Sequence, residues 1–293
     1  MAWQTYYTAD NTFATPEFPL RLWHEAPHQG DIPMHQHEYS ELNIVLGGSA
    51  LHVTERDQYR LQAGDVYVVH QDMQHGVRAP QEFDFFVIAF DPARVLLGQE
   101  RLREISGYHA LFVLEPHYRQ RHQHRRHLRL SAAQLRHTAA LCASLEREYR
   151  RTSNGRELLV TLLFSQLVAY LCLCHGETVP RSQPTMLRLA PVISYIEQQL
   201  GAPLSTRQLA RMAHQSVNQF IRVFHDATGY TPMKYVARQR VLRAAELLEH
   251  SVLSCKEIAA RCGFDSTNYF SRTFVQLMGQ RPTVYRARRL ARQ

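Results

Sequence analysis

Residues 205–235, STRQLARMAHQSVNQFIRVFHDATGYTPMKY, return in outline fifty positions later, and this repeat limits the possible folds more than any other feature of the chain. Ser216, Asn218, Phe220, Arg222, Phe224, Gly229, Pro232 and Tyr235 recur as Ser266, Asn268, Phe270, Arg272, Phe274, Gly279, Pro282 and Tyr285. Apolar, polar and turn positions all coincide, as they do when one supersecondary unit has been duplicated. Each copy reads as a short helix, a turn and a second helix. In the later copy Ser254, with Glu257 three residues on, predicts a capping box in which hydroxyl and carboxylate satisfy orphan backbone donors. Ile258, Ala259 and Cys262 fall on one face at helical spacing, so that face is buried. Gly263 supplies the left-handed conformation that stops the helix and turns the chain. Asp265 or Ser266 caps the next helix, whose Phe270, Phe274 and Leu277 are expected to point inward. The earlier copy has its own expected box, Ser205 with Gln208.

A helix, turn and helix of this kind is the element that enters a DNA major groove. Ser266, Thr267, Asn268, Ser271 and Arg272 remain outward on the first turns of the later helix, where side chains can bond base edges or phosphates. An ordinary solvated face is the alternative. Between the copies, Pro232 to about Glu249 reads as one helix with an apolar stripe of Val236, Val241, Leu242, Ala245 and Leu248. At 1.5 Å per residue it spans about 27 Å, which suits two recognition helices about one DNA turn, roughly 34 Å, apart. Charge points the same way. Residues 186–293 carry 16 Lys and Arg against 6 Asp and Glu, a net +10. The preceding 185 residues carry 18 against 20, a net −2, which accounts for the chain's +8. A basic segment beside a near-neutral one is the electrostatic footprint of a nucleic-acid-binding module. The tail arginines Arg281, Arg286, Arg288, Arg289 and Arg292 read as a phosphate-contacting or simply solvated patch.

The run I-A-x-x-x-G-F-x-S-x-x-Y-F-x-R-x-F-x-x-x-x-G-x-x-P-x-x-Y-R, with its duplicate, makes the last ~105 residues resemble the DNA-binding domain of AraC/XylS-family transcription regulators. The resemblance implies that Asn218, Gln219 and Arg222 belong to a first reading helix, and Thr267, Asn268 and Arg272 to a second. Ile221 departs from it, being apolar where relatives often carry a polar contact residue; it can touch a thymine methyl or pack.

Ahead of this module, Leu42–Leu46, Ala50–Thr54, Asp65–Val69 and Asp84–Phe90 are β-rich runs, punctuated at Gly47–Gly48, Arg56–Asp57 and Ala63–Gly64. They suggest an all-β barrel or jelly roll over about 18–95. Within it Pro33-Met34-His35-Gln36-His37, Glu41, Gly48, Gly64-Asp65 and His75 resemble the two motifs of a cupin barrel. His35, His37 and Glu41 sit at strand periodicity facing one cavity, with His75 able to complete the set. Three readings stay open for these four residues: a pocket for a small-molecule effector, possible for a sugar because the side chains give directional hydrogen bonds; a metal site; or satisfied strand residues. From Glu115, EPHYRQRHQHRRHL is dense in His and Arg, and reads as a metal or pH-sensing tract or as an exposed loop of solvated charges. Residues 132–151 form a helical pattern in which Leu135, Cys142 and Tyr149 recur every seven residues, with Leu145 between; the stripe suits a helix pair between two subunits or packing on the barrel. Residues 156–174 form a second, more apolar helix, expected to be buried. His175–Pro184 is polar with two prolines and reads as a linker.

The fold expected is thus α+β with two domains. Residues 1–175 form a cupin-like barrel with a helical dimerisation segment (helices about 132–174), 176–185 a linker, and 186–293 an all-α double helix-turn-helix domain. The longest apolar stretch, Leu158–Cys174, is broken by Thr161, Ser165 and Gln166 and falls short of a membrane-spanning helix. The first residues lack the pattern of a signal peptide. Five cysteines without metal-type spacing read as buried thiols of a reducing cytoplasm. These features describe a cytoplasmic, homodimeric transcription regulator that binds double-stranded DNA, requires no cofactor and answers to a small-molecule effector. The resemblance implies activation, often by contact with RNA polymerase, with repression as the alternative, and in its N-terminal arrangement similarity to sugar-catabolism regulators such as those for rhamnose. Two alternatives remain: a metal-dependent cupin enzyme fused to a DNA-binding tail, and a constitutive dimeric DNA-binding protein. No nucleophile–base pairing or phosphate-cradling loop supports any other enzyme.

Overall fold

The computed structural model describes residues 5–15, 18–55, 57–71, 73–91, 95, 101–102, 105–116, 127–177 and 189–290. The chain divides into two units, Met1–Gln183 and Pro184–Gln293.

The first unit is built on eight strands: β1 (Thr5–Tyr7), β2 (Leu20–His28), β3 (Ile32–His37), β4 (Ser40–Thr54), β5 (Gln58–Gln62), β6 (Asp65–Val69), β7 (His75–Phe90) and β8 (Leu128–Arg129). They lie in the order β1-β3-β7-β4-β6-β8, with β2 also on β7 and β5 also on β4. Strand β4 runs straight through Gly47–Gly48, where the sequence suggested a turn. The glycines instead mark bulges, seen as register shifts against β7 between Val45 and Ser49, which bend a strand without ending it. Both faces of the central strands are covered, so β6 is buried at every position. Val66, Val68, Phe86, Ile88 and Phe90 join one core cluster with the helices. The alternate residues Tyr67, Val69, Phe85 and Val87 join a second cluster inside the sheet.

Among the described residues the sheet is accompanied by α1 (Ala9–Thr12), α2 (Ser106–His109) running on as a π-helical turn (Ala110–Leu114), α3 (Ala132–Tyr149) and α4 (Arg156–Glu177). Ser131 and Gln134 cap α3 reciprocally. Its predicted stripe faces the protomer's own core: Cys142 and Leu145 are buried, and Leu135 and Tyr149 pack against them. That stripe therefore does not offer a subunit contact. Helix α4 is half-buried rather than buried. Val160, Phe164, Leu167, Val168 and Leu171 are inside, while Leu158, Leu159, Leu162 and Leu173 are exposed. Contrary to the sequence reading, Arg156–His175 is long and apolar enough to cross a membrane, with 50% of it buried in the protein. Its interrupting hydroxyls are masked: Thr161 donates to the Glu157 carbonyl (2.7 Å) and Ser165 to that of Thr161 (2.8 Å). The helix also continues into the expected linker, where His175 pairs with buried Glu115 at 2.8 Å. Residues 178–188 and most of the His-rich tract, 117–126, lie outside the described residues. The tract's described ends are not solvated: Glu115 is buried, and His127 meets buried Asp65 at 2.8 Å.

The second unit is helical: α5 (Ala190–Gln198), α6 (Thr206–Met212), α7 (Val217–Thr228), α8 (Pro232–His250), α9 (Cys255–Arg261), α10 (Thr267–Met278) and α11 (Pro282–Leu290). The repeat holds in three dimensions. Phe220, Phe224 and Tyr235 meet tilted or edge-on at centroid distances of 5.4 and 5.5 Å, and Phe270, Phe274 and Tyr285 edge-on at 5.6 and 5.5 Å. The tyrosine hydroxyls donate to Glu197 (3.0 Å) and Glu249 (2.5 Å) respectively. Helices α7 and α10 both end on a left-handed glycine, Gly229 and Gly279. Two expectations fail locally. Leu277 is 42% exposed, and Met278, one residue on, packs on the core instead. Ser205 caps α6, but Gln208 turns its amide to the Tyr195 hydroxyl (2.8 Å) and leaves the box half made.

Candidate functional site

Two surfaces gather the residues singled out above. The first is a cavity of about 530 Å³ in the sheet unit, lined by residues of α1 and of strands β1–β4, β6 and β7. The pairing of β3 with β7 sets His35 opposite His75, with ring centroids 4.2 Å apart. Glu41, on neighbouring β4, reaches to 3.4 Å from His75 Nε2 and 3.6 Å from His37 Nε2. His35, Glu41 and His75 line the cavity. His37 does not: it is fully buried, stacked on Tyr39 at 4.6 Å, with Nδ1 donating to the Tyr39 carbonyl at 2.7 Å. Nδ1 of His35 and His75 likewise face the carbonyls of Pro33 (3.0 Å) and Met73 (3.3 Å). A carbonyl partner fixes the hydrogen on Nδ1 and leaves Nε2 as an acceptor or ligand atom.

Burial pushes the His35 imidazole down, and the neighbouring His75 adds to the effect. Burial likewise brings His37 down to about 4. Burial alone would raise Glu41, but its hydrogen bond with His75 and the charges of the surrounding histidines hold it down at about 2. The floor of the cavity thus carries a buried carboxylate, with the His35 imidazole beside it disfavouring a proton. His35, Glu41 and His75 each place one ligand atom within 4.8 Å of the others, close enough to hold one metal ion.

Sequence reasoning missed most of the cavity wall. Arg21, Trp23 and Glu25 alternate along β2 and all face it, joined by Tyr39, Asn43 and Tyr67. The alternation R-x-W-x-E was the available signal. Asn43 is buried with its amide nitrogen unpartnered among the described residues, and an unpaired buried donor beside a cavity costs about 1–3 kcal/mol until something accepts from it.

The second surface is the paired first turns of α7 and α10. Ser216 and Ser266 cap these helices by accepting from the backbone of Gln219 and Tyr269. Asn218, Gln219 and Arg222 are exposed on α7, and Asn268 and Arg272 on α10, with Thr267 and Ser271 half-exposed. Their side chains make no hydrogen bond or ion pair among the described residues. Exposed Tyr269 adds an aromatic edge to the second turn that the sequence reading had not included. Of the tail arginines, Arg281 is exposed, whereas Arg286 is structural, donating to the carbonyls of Leu253 (2.6 Å) and Leu248 (3.4 Å). The side chains of Arg288 and Arg289, and all of Arg292, lie outside the described residues.

Comparison with known proteins fits both surfaces. Residues 21–168 match the family described as the AraC-like ligand binding domain, and residues 209–288 a helix-turn-helix domain. The chain belongs to the AraC family. It is a DNA-binding transcription regulator with a ligand-binding sheet domain. The HTH-type transcriptional activator RhaR of Escherichia coli O139:H28 is 29% identical over 288 residues, 98% of each chain. RhaR of Shigella boydii serotype 4 matches equally. Among solved structures, the DNA-binding domain of AdpA in complex with a target DNA is 37% identical, covering 36% of this chain and 96% of that one, with a TM-score of 0.36.

Proposed function

We propose that this AraC-family regulator is a cytoplasmic, homodimeric activator of transcription that binds a sugar or similar polyhydroxylated effector in its sheet-domain cavity. The observation that carries the DNA half is the pair of capped helices, α7 and α10, whose exposed polar first turns are uncommitted inside the protein. Arg222 and Arg272 can each take a guanine edge bidentately, and Asn218 and Asn268 an adenine edge. Relatives named as transcriptional activators support the sign of regulation, and activation implies a contact with RNA polymerase. The cavity supports the effector: aromatic faces at Trp23, Tyr39 and Tyr67 suit the apolar faces of a sugar ring, and Asn43, Glu41 and the histidines suit its hydroxyls. Recognition rather than catalysis is the role these groups fill. An effector bound more tightly by one arrangement of the domains would shift the population toward it, and with it the half-sites a dimer bridges. For dimerisation, the exposed stripe Leu158, Leu162 and Leu173 on α4 replaces the α3 stripe as the favoured contact.

Selection of bound duplexes from a random DNA pool, at stated salt, tests the DNA reading. A two-part motif should be enriched, its parts about one helical turn apart; binding that only vanishes with salt would defeat it. Calorimetry of the full chain against a panel of sugars tests the cavity. Trp23→Ala should abolish any heat seen with the wild type, and heat that survives places the effector elsewhere.

A metal-assisted cavity is a second reading, favoured by one observation. Nε2 of His37 faces the Glu41 carboxylate at 3.6 Å, acceptor against acceptor, and is buried with no partner among the described residues. A divalent cation resolves that opposition, and an imidazole–carboxylate set suits zinc, iron, nickel or manganese. His35, Glu41 and His75 would hold it. The bound ion would neutralise Glu41 and offer open positions to effector oxygens. One equivalent of cobalt(II), with visible bands lost in His75→Ala, is the expected result; absence of stoichiometric binding returns the site to hydrogen bonding alone.

A further inference from the structure

Helix α8 joins the two motifs, but one rod between two bodies fixes only their separation. Their relative rotation needs a second point of contact. That contact lies halfway along α8, at Arg240. Its Nε donates to the Leu200 carbonyl (2.9 Å) and its Nη2 to that of Ala202 (2.8 Å). These carbonyls follow the C-terminus of α5, where helix ends leave acceptors unsatisfied and favour a cation. Helix α5 belongs to the first motif's frame through Tyr195 with Gln208 and Glu197 with Tyr235.

The other side of the guanidinium meets the second motif. A β-carbon at Gly263, in the turn between α9 and α10, would lie 2.3 Å from the Leu200 carbonyl oxygen and 2.7 Å from Arg240 Nη2. A β-carbon at Gly201 would lie 2.9 Å from the Arg261 carbonyl oxygen. Residues 200–202 and 261–263 therefore touch backbone to backbone, with Arg240 wedged against both. The Asp265 carboxylate, just before the second reading helix, adds an opposite charge near it. Arg240 itself is half-buried, its guanidinium taken up by the two carbonyls.

We propose that Arg240, bridging residues 200–202 of the first motif and the Gly263 turn of the second, is a positioning residue that fixes the spacing and phase of the two DNA sub-sites. The inference rests on α7 and α10 both reading DNA. Lysine at 240 keeps the charge, yet as a point donor it does not reproduce the planar fork that spans two carbonyls.

The test is the random-pool selection repeated on full-length wild type, Arg240→Ala and Arg240→Lys, each first shown to melt cooperatively. The wild type should enrich two half-motifs at a single spacing. Arg240→Ala should enrich the same half-motifs with spacings spread to about one base pair on either side. Its affinity for the wild-type composite site should drop about tenfold, roughly 1.4 kcal/mol, while affinity for a duplex carrying one half-motif stays unchanged. Arg240→Lys should fall between. Weaker binding to single and composite sites alike, at unchanged spacing, would make Arg240 merely structural and overturn the proposal. A wild type that enriches only one motif would instead refute the two-helix reading, leaving no spacing for Arg240 to set. Should the alanine variant fail to melt cooperatively, the lysine variant carries the same comparison.

Discussion

The cavity and the DNA-reading surface solve opposite problems. The reading residues are gathered on the first turns of two helices, exposed or half-exposed and uncommitted, held out by two aromatic ladders that repeat to within a few tenths of an ångström. The cavity residues come from six strands and α1, are largely buried, and the histidines at its floor are tied to backbone carbonyls on the side away from it. A surface that reads many partners needs a rigid frame with free tips. A pocket that recognises one small molecule needs its groups fixed by neighbours, since misplacement by about an ångström loses the contact.

The largest effect that separates the two regions should come from Phe270→Ala. Phe270 is fully buried on the inner face of the second reading helix, so its removal should cost about 3–5 kcal/mol. If the units are thermodynamically separate, calorimetry should show the helical transition moved down and the sheet transition in place. A joint shift would mean the units melt as one. The next effect acts in the sheet unit. Asp65 is fully buried and accepts from Arg129 (2.7 and 3.0 Å) and the Gln62 backbone (2.8 Å), with His127 at 2.8 Å. Burial would raise its pKa, but the bonds from His127 and Arg129 outweigh that and hold it below the ordinary value. A depressed folded pKa contributes stability above the unfolded value and loses it as pH falls toward the folded one. Asp65→Asn should therefore cost about 2 kcal/mol at neutral pH, reduced from a fully buried pair because Arg129 is half-exposed. It should also flatten the acid limb of the sheet unit's melting temperature; an unchanged limb would assign that limb to other carboxylates.

How much of this the sequence discloses follows the same division. The helix-turn-helix pair was legible because caps, turns and the i, i+4 phenylalanines are local rules, and Ser254 with Glu257 forms the box those rules predict. Leu277 broke the pattern, with Met278 taking the place on the core. In the sheet, His35, Glu41 and His75 were legible as a motif, while Trp23, Asn43 and Tyr67 were not, since strand register brings them together and register is not written in any one strand. Strand period alone put His37 with His35; it could not reveal that Tyr39 stacks over His37 and closes it off. The α3 stripe is a similar case: heptad spacing marks a buried face without saying whether a partner or the protomer buries it.

Smaller effects sharpen the reading surface itself. Arg272→Ala should cost about 1–3 kcal/mol and relax specificity at one base position, with Arg222→Ala doing the same at a different position about one helical turn away. If Arg272→Ala weakens all sequences alike, the side chain clamps a phosphate. Arg281→Ala should be the mildest. Arg281 is exposed at the turn before α11 and has no partner among the described residues, so it can contribute only through phosphate charge. Binding should weaken uniformly across sequences, and the slope of log affinity against log salt should fall by about 1. A change in base preference at Arg281→Ala would extend the reading surface past α10, and would end the contrast between a specific helix and an unspecific tail.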